Sequence, residues 1–267
     1  MAGLMETVKG YSLSQVSYSY DQITGIDEVS VSLVPGKFYG LIGPNGSGKS
    51  TFLDILSGYI VPNHGTILLN NVPLQSYDRN ELSQILAVVP QFFNQNFQYL
   101  VSDVVLMGRY PYLSRFSPPA KSDFEAVDQA MEMLGISHLR SRSITELSGG
   151  ERQRVMIAKA LAQSGDFILL DEVTSNLDIN HTISIVTVLS KLIRDKGITV
   201  VAAVHDLNLA AACCDELIVL KNGTLKNFGP TSTLLSERLI SELYGVDVAI
   251  ISGNQSQKQI IYNYVRS

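Results

Sequence analysis

The chain has 267 residues, 45% hydrophobic and 17% charged, enough apolar material for a substantial core and against a disordered chain. Its net charge of −5, from 20 Lys plus Arg against 25 Asp plus Glu, argues against a nucleic-acid binder, which would usually be basic. The opening stretch MAGLMETVKGYSLSQ lacks the apolar run of a signal peptide, and runs such as Ile198–Val204 are too short to cross a bilayer, so a cytosolic location is expected.

Taken in order, YSLSQVSYSY and DEVSVSLV alternate apolar and polar residues and read as strands, with a turn at Pro35-Gly36. Phe38 to Ile42 reads as a short buried strand, and Phe52, Leu53, Ile55 and Leu56 have helical spacing. Leu68 to Pro73 suggests a hairpin turning at Asn70-Asn71, Asp78 to Ile85 a short helix, and ILAVVPQ a buried strand ending at Gln91. From about Ser102 to Leu147 the pattern is helical, broken by a loop, RYPYLSRFSPPA. A helix follows Gly149, and then strands and helices alternate: FILLD, Asn180 to Ile193, ITVVAAV, Leu207 to Cys214, ELIVL. The adjacent Cys213 and Cys214 suit neither a disulfide nor a zinc site and are expected as small helix residues. A hairpin at Asn222-Gly223, short helices in TSTLLSERLISELYG, and closing strands VDVAIIS and KQIIYNYV complete the chain; these strands are expected to cover a sheet edge or an apolar face and to carry no chemistry. The alternation implies an α/β fold, a mostly parallel sheet with helices on both faces. A single domain over 1–267 is expected, with a core of about 1–91 and 149–267 and a helical insertion of about 92–148.

The turn between the strand Phe38–Ile42 and the following helix carries the pattern Gly-x-x-x-x-Gly-Lys-Ser, filled by Gly43, Gly48, Lys49 and Ser50. Gly46 and Gly48 let successive N–H groups converge on phosphate oxygens at a helix N-terminus, whose unpaired amides and dipole favour an anion. In such a phosphate loop Lys49 reaches the β- and γ-phosphates and the Ser50 hydroxyl ligates Mg²⁺. DFILLDE, Asp166 to Glu172, is an apolar strand ending in two carboxylates, suited to holding Mg²⁺ (Asp171) and to orienting or deprotonating an attacking water (Glu172). LSGGERQR opens a helix with Ser148 as a good N-cap and Gly149 and Gly150 behind it, a second anion site.

Together GPNGSGKST, LSGGERQ, ILLDE, SNLD and His205 resemble the nucleotide-binding subunit of an ATP-binding cassette (ABC) transporter, over nearly the whole chain and in the family's motif order. The resemblance implies a phosphate-loop NTPase core with an antiparallel β subdomain and an inserted helical subdomain. It implies ATP and Mg²⁺ as the bound groups, with the loop Gly43, Pro44, Asn45, Gly46, Ser47, Gly48, Lys49, Ser50 and Thr51 around the phosphates. By the same resemblance Ser148, Gly149 and Gly150 meet the nucleotide held by the other protomer of a homodimer, and Asp178 closes the segment that signals between the two sites. Gln91 sits where the family's glutamine links Mg²⁺ to the membrane partner, His205 contacts the γ-phosphate, and Tyr20 stacks on adenine. Tyr18, two residues away on the same strand, is the alternative platform; spacing to VSVSL favours Tyr20. One departure is visible: Val173 stands after Glu172 where the family usually has proline, which implies slower or less tightly positioned hydrolysis at most.

VSDVVLMGRYPYLSRF, LDINH and HDLNLAAACCDELIVLKNG further resemble ATPases of importers for iron–siderophore complexes, haem or cobalamin. This implies a bacterial or archaeal importer, a peripheral position on the inner face of the membrane, separate permease chains and, indirectly, a substrate-binding protein. The stretch QFFNQNFQYL, with Phe92 and Phe93, is the expected permease contact, the alternative being core residues of the insertion. Against the importer stand a soluble ABC ATPase in assembly or repair without a permease, and a regulator that does not hydrolyse. A single cassette without heptads opposes the first, and Glu172 with His205 opposes the second.

Overall fold

The computed structural model describes residues 9–21, 23–91, 98–114, 117–171, 178–252 and 258–263. Two compact units divide the chain, residues 1–77 with 201–267, and residues 78–200.

The first unit opens with β1 (Tyr11–Tyr20) and β2 (Ile23–Leu33), followed by β3 (Phe38–Ile42), α1 (Lys49–Leu56), β4 (His64–Leu69) and β5 (Val72–Pro73). Strict alternation puts Val29, Val31 and Leu33 of β2 inside and Ser30 and Ser32 outside, the half-buried strand that the pattern implies. Antiparallel pairing of β1 with β2 slips three times, between Leu13 and Val16, between Val16 and Tyr18, and between Tyr18 and Ser19. Gln15 (φ 50°) and Glu28 (φ 47°) take left-handed backbone at these bulges, which periodicity does not reveal. The antiparallel sheet runs β2-β1-β4-β5, and its last turn uses positive φ at both Asn70 (52°) and Asn71 (64°), as a type I′ hairpin requires.

In the second unit α2 (Arg79–Ile85) starts from a capping box. The Asp78 carboxylate accepts from the Glu81 amide at 2.8 Å, and the Glu81 carboxylate accepts from the Asp78 amide at 3.0 Å. Next come β6 (Leu86–Val89), α3 (Val101–Leu106), α4 (Lys121–Met133), α5 (Gly149–Gln163), β7 (Phe167–Leu170), α6 (Ile179–Lys196) and β8 (Thr199–Ala203), within which the unit boundary falls. β6 and β7 run parallel from Leu86↔Phe167 to Val89↔Leu170, and every residue of β7 is buried, as expected of a strand covered on both faces. α3 and α4 pack on α5.

Residues Arg109 to Tyr112 are not the open loop that their tyrosines and proline suggest: Met107–Tyr112 forms a 3₁₀ helix laid against α5. A Cβ on Gly108 would lie 2.2 Å from the Lys159 carbonyl oxygen, so only glycine allows this approach. The Arg109 guanidinium donates to Asp123 Oδ1 at 2.9 Å and to the Ala162 carbonyl at 2.8 Å, and stacks 4.0 Å over the Tyr112 ring. Tyr112 in turn donates to the Gln163 carbonyl at 2.7 Å. One arginine thereby satisfies the buried Asp123 and the end of α5 together.

The chain then returns to the first unit with α7 (Leu207–Cys213), β9 (Glu216–Lys221), β10 (Thr224–Pro230), α8 (Thr231–Leu234), α9 (Glu237–Tyr244), β11 (Val248–Ser252) and β12 (Lys258–Tyr262). β9 lies parallel to β3, and β10 antiparallel to β9 through the expected turn at Asn222 (φ 53°) and Gly223 (φ 77°). β11 and β12 pair with each other and pack on α9 and α7, so these closing strands cover helices and not a sheet edge. Cys213 ends α7, and Cys214 follows it as the cap; both are free thiols, with Cys214 buried against the Cα of Gly40. These parallel pairs, with antiparallel strands and helices around them, make up the α/β architecture of a phosphate-loop NTPase. Among the described residues no helix is long and apolar enough to cross a membrane.

The hydrogen bond from Arg109, reinforced by that from the Ala120 amide, holds the Asp123 carboxyl below its ordinary 3.8. A lowered pKa contributes stability that is complete above the ordinary value and is lost as pH falls through the folded value. Urea unfolding at a series of pH values should therefore show wild type losing, below that ordinary value, a share of stability that Asp123→Asn has already lost at neutral pH. Parallel pH profiles for the two proteins would contradict this role.

Candidate functional site

β3 delivers the chain to Gly43, whose φ of 155° and crowding, with a Cβ falling 2.1 Å from the Leu220 carbonyl oxygen, exclude a side chain. Gly48 is confined likewise at φ 99°, its Cβ position 2.4 Å from the Gly25 carbonyl oxygen. β9 and β2 thus press on the loop from two sides and set its path. The loop closes on itself by the Ser47 amide donating to the Pro44 carbonyl at 3.1 Å, and the Gly223 amide donates to the Ser47 carbonyl at 3.1 Å.

α1 starts at Gly48 with no side-chain cap and no acidic residue in its first turn. Its dipole end is left for an external anion, while Asn45 and Gly46 are exposed above it and Ser50 is exposed on its first turn. Lys49, only 6% exposed, folds back so that Nζ donates to the carbonyls of Gly43 (2.9 Å) and Pro44 (3.1 Å). The Ser47 hydroxyl is buried without a hydrogen-bond partner, and Thr51 is buried against Gly25. A cation, a glycine loop and an uncapped helix start at one place fit a polyphosphate.

His205 belongs to the same unit. Val204 donates its amide to the Leu41 carbonyl at 3.0 Å, which sets His205 beside the carboxyl end of β3, exposed to solvent. The next residue, Asp206, caps α7 by accepting from the amides of Asn208 (2.8 Å) and Leu209 (3.3 Å). Tyr20 ends β1 and is 44% exposed; Tyr18 meets it edge-on with ring centroids 4.8 Å apart. The two rings form a pair, Tyr18 supporting Tyr20.

In the second unit the Asp171 amide donates to the Val89 carbonyl at 3.0 Å, and Gln91 follows β6 by two residues. Gln91 and Asp171, both half-buried, therefore leave the carboxyl ends of neighbouring parallel strands together. Glu172 and Val173 lie outside the described residues, as do Phe92 and Phe93. Asp178 caps α6, accepting from the His181 amide at 2.8 Å and lying 2.9 Å from His181 Nδ1; the amide bond leads in holding its carboxyl below the usual range.

Ser148 caps α5 in a capping box. Its amide and its hydroxyl each donate to Glu151 Oε2 at 2.8 Å, and the Glu151 amide returns a 3.3 Å bond to Ser148 Oγ. These bonds hold the Glu151 carboxyl below its ordinary value. Gly149 is exposed, and a Cβ there would meet nothing within 4 Å, so a second molecule can approach the helix start.

A contact with no signal in the sequence completes the loop: the Gly43 amide donates to the Tyr244 hydroxyl at 3.1 Å, from the end of α9. The C-terminal elements, expected to carry no chemistry, thus reach the phosphate loop.

A family model described as ABC transporter matches residues 26–175. The chain belongs to the ABC transporter family. The cobalamin import ATP-binding protein BtuD of Halobacterium salinarum is 40% identical over 225 residues, which cover 84% of this chain and 56% of that protein. The chain thus spans little more than half the length of that relative. The ferric enterobactin transport ATP-binding protein FepC of Escherichia coli is 38% identical over 248 residues, covering 93% and 92% of the two chains. Among solved structures, an inward-facing ABC transporter assigned to the metal-chelate type aligns with a TM-score of 0.83 at 30% identity, covering 96% of this chain and 98% of that one. ATP hydrolysis is general to the ABC ATPase family, and the geometry at α1 suits the triphosphate.

Because Ser148 is a structural cap here, Ser148→Ala should lower stability by about 1 kcal/mol, the usual value of an N-cap serine, in urea unfolding of the isolated subunit. Unchanged stability would mean that Glu151 and the Ser148 amide hold the helix start without the hydroxyl.

Proposed function

We propose that this chain is the ATP-hydrolysing subunit of a bacterial or archaeal ABC importer for a metal chelate, an iron–siderophore first and haem or cobalamin next, acting through separate permease chains. The observation that carries the reading is the start of α1, where the helix has no side-chain cap and Lys49 is held on the loop carbonyls. The relatives named for cobalamin import and ferric enterobactin transport support the substrate class.

In this reading Lys49 leaves the Gly43 and Pro44 carbonyls for the β- and γ-phosphate oxygens, and the loop from Gly43 to Thr51 surrounds the phosphates. Tyr20 stacks on adenine. Ser50, Gln91 and Asp171 are the residues that would hold Mg²⁺, which would supply positive charge against that of the phosphates. Glu172 orients water and accepts its proton as the bond to the ADP oxygen breaks, while His205 and Lys49 stabilise the transferred phosphoryl group.

Two protomers act together. Ser148, Gly149 and Gly150 face the nucleotide of the partner, and the Ser148 hydroxyl exchanges the Glu151 carboxylate for a phosphate oxygen. Asp178 links the two sites. The helical insertion, residues 92–148, and Gln91 transmit closure and opening to the permease at the inner face of the membrane. A substrate-binding protein supplies the ligand on the other side, and nucleic acid has no part.

Lys49→Ala in the purified subunit–permease complex should cut ATP turnover roughly 100-fold to 1,000-fold, the range for loss of one preorganised donor, with the far-ultraviolet circular dichroism unchanged. Wild-type turnover in that variant would reject the phosphate-loop assignment. Glu172→Gln should accumulate an ATP-dependent dimer detectable by light scattering, and adding Ser148→Arg should abolish it while nucleotide binding persists. A dimer surviving in the double variant would rule out the shared site.

A further inference from the structure

The last quarter of the first unit touches both elements of the phosphate site by side-chain hydrogen bonds. At one end, the Tyr244 hydroxyl accepts from the Gly43 amide at 3.1 Å. At the other, both polar atoms of the Asn208 amide are used on one residue of β12: Nδ2 donates to the Ile260 carbonyl at 3.1 Å and Oδ1 accepts from the Ile260 amide at 2.7 Å. Asn208 is the second residue of α7, the helix that begins just after His205.

The segment making these bonds is itself well held. Leu239, Ile240 and Leu243 of α9 are buried, as are Val248 of β11 and Ile260 of β12. The Glu237 carboxylate accepts from the Ile250 amide at 2.8 Å, the Lys221 ammonium donates to the Glu242 carbonyl, and Lys258 Nζ donates to the Leu235 carbonyl at 2.5 Å. These bonds tie α9 to β11 and β9, and β12 to the end of α8. Burial, with the Tyr262 phenol nearby, pushes the Tyr244 hydroxyl up to about 12, so it stays neutral at working pH.

We infer that α9, β11 and β12 brace the nucleotide site, with Tyr244 positioning the phosphate loop through Gly43 and Asn208 positioning the His205 segment through Ile260. The reason lies in what Gly43 loses when nucleotide arrives. Its carbonyl now accepts from Lys49, a bond that the proposed function requires to break as the ammonium turns to phosphate. The Tyr244 bond to the amide of the same residue persists, keeping the loop preorganised and reducing the ordering that binding must supply. Asn208 acts at another step, because His205 meets charge that develops during transfer. Neither side chain touches the nucleotide, so both are positioning residues.

The inference rests on the nucleotide-site reading, and the test separates the two. Full-length wild type, Tyr244→Phe, Asn208→Leu and Asn208→Asp are titrated with a fluorescent ribose-labelled ATP analogue and Mg²⁺, assayed for steady-state ATP hydrolysis, and followed by hydrogen–deuterium exchange of the peptide spanning Gly43 without nucleotide. Tyr244→Phe should raise the dissociation constant about threefold to tenfold, the scale of one hydrogen bond, and speed exchange at Gly43 with the melting temperature nearly unchanged. Asn208→Leu should lower kcat by a similar factor with KM changed less than about twofold, and Asn208→Asp, which keeps the acceptor for the Ile260 amide, should recover part of that loss. Wild-type affinity and Gly43 exchange in Tyr244→Phe overturn the brace alone, as does a loss matched by a loss of folded protein. A wild-type chain that binds no nucleotide overturns the site reading, and the brace with it.

Discussion

The backbone of Gly43 is engaged on every side. Its amide donates to Tyr244, its carbonyl accepts from Lys49, and its Cα lies against the Leu220 carbonyl with no room for a side chain. The parts of the first unit proposed to meet phosphate lie around this point: the loop after it, α1 after the loop, and His205 beside β3 through the Val204–Leu41 bond. Preorganised dipoles stabilise developing charge only if they do not have to be reoriented when charge appears. The contacts of β9 under Gly43 and β2 under Gly48 supply that rigidity, at positions where any residue but glycine would collide with backbone.

Helix starts divide by what satisfies them. Asp78, Ser148, Asp178 and Asp206 cap α2, α5, α6 and α7 with their own side chains, whereas α1 begins at a left-handed glycine with no side-chain cap. α3 and α8 also start without a side-chain cap, but of these three starts only that of α1 carries a buried lysine. α5 holds an intermediate position, because its serine is already committed to Glu151 and must change partners to meet a phosphate. In the proposed dimer Ser148 is therefore conditional, a cap in the lone protomer that meets phosphate only by giving up the Glu151 carboxylate.

Local chemistry accounts for what was legible. The alternation of VSVSL, the Asn70-Asn71 and Asn222-Gly223 turns, and the cap at Ser148 depend on residues within four positions of one another, and each lies where the pattern implied. The phosphate loop was legible for the same reason, since its glycines, lysine and helix are contiguous. The bulges at Gln15 and Glu28 were not, because neither residue type signals left-handed backbone and the slip exists only against the partner strand. Nor was the folding of Arg109 to Tyr112 onto α5: it needs Asp123 and Ala162, 14 and 53 residues away.

The sequence by itself determined the α/β class, the turns at Asn70-Asn71 and Asn222-Gly223, and the membership of the ABC family, because periodicity, turn chemistry and a contiguous glycine-lysine motif are encoded over a few residues. Only the tertiary structure decided how that loop is held. Leu220, Gly25 and Tyr244 come to it from three different elements, Leu220 and Tyr244 from far along the chain. A tyrosine at the end of an amphipathic helix looks the same in the sequence whether its hydroxyl meets water or a glycine amide 201 residues away, and packing is what makes the difference.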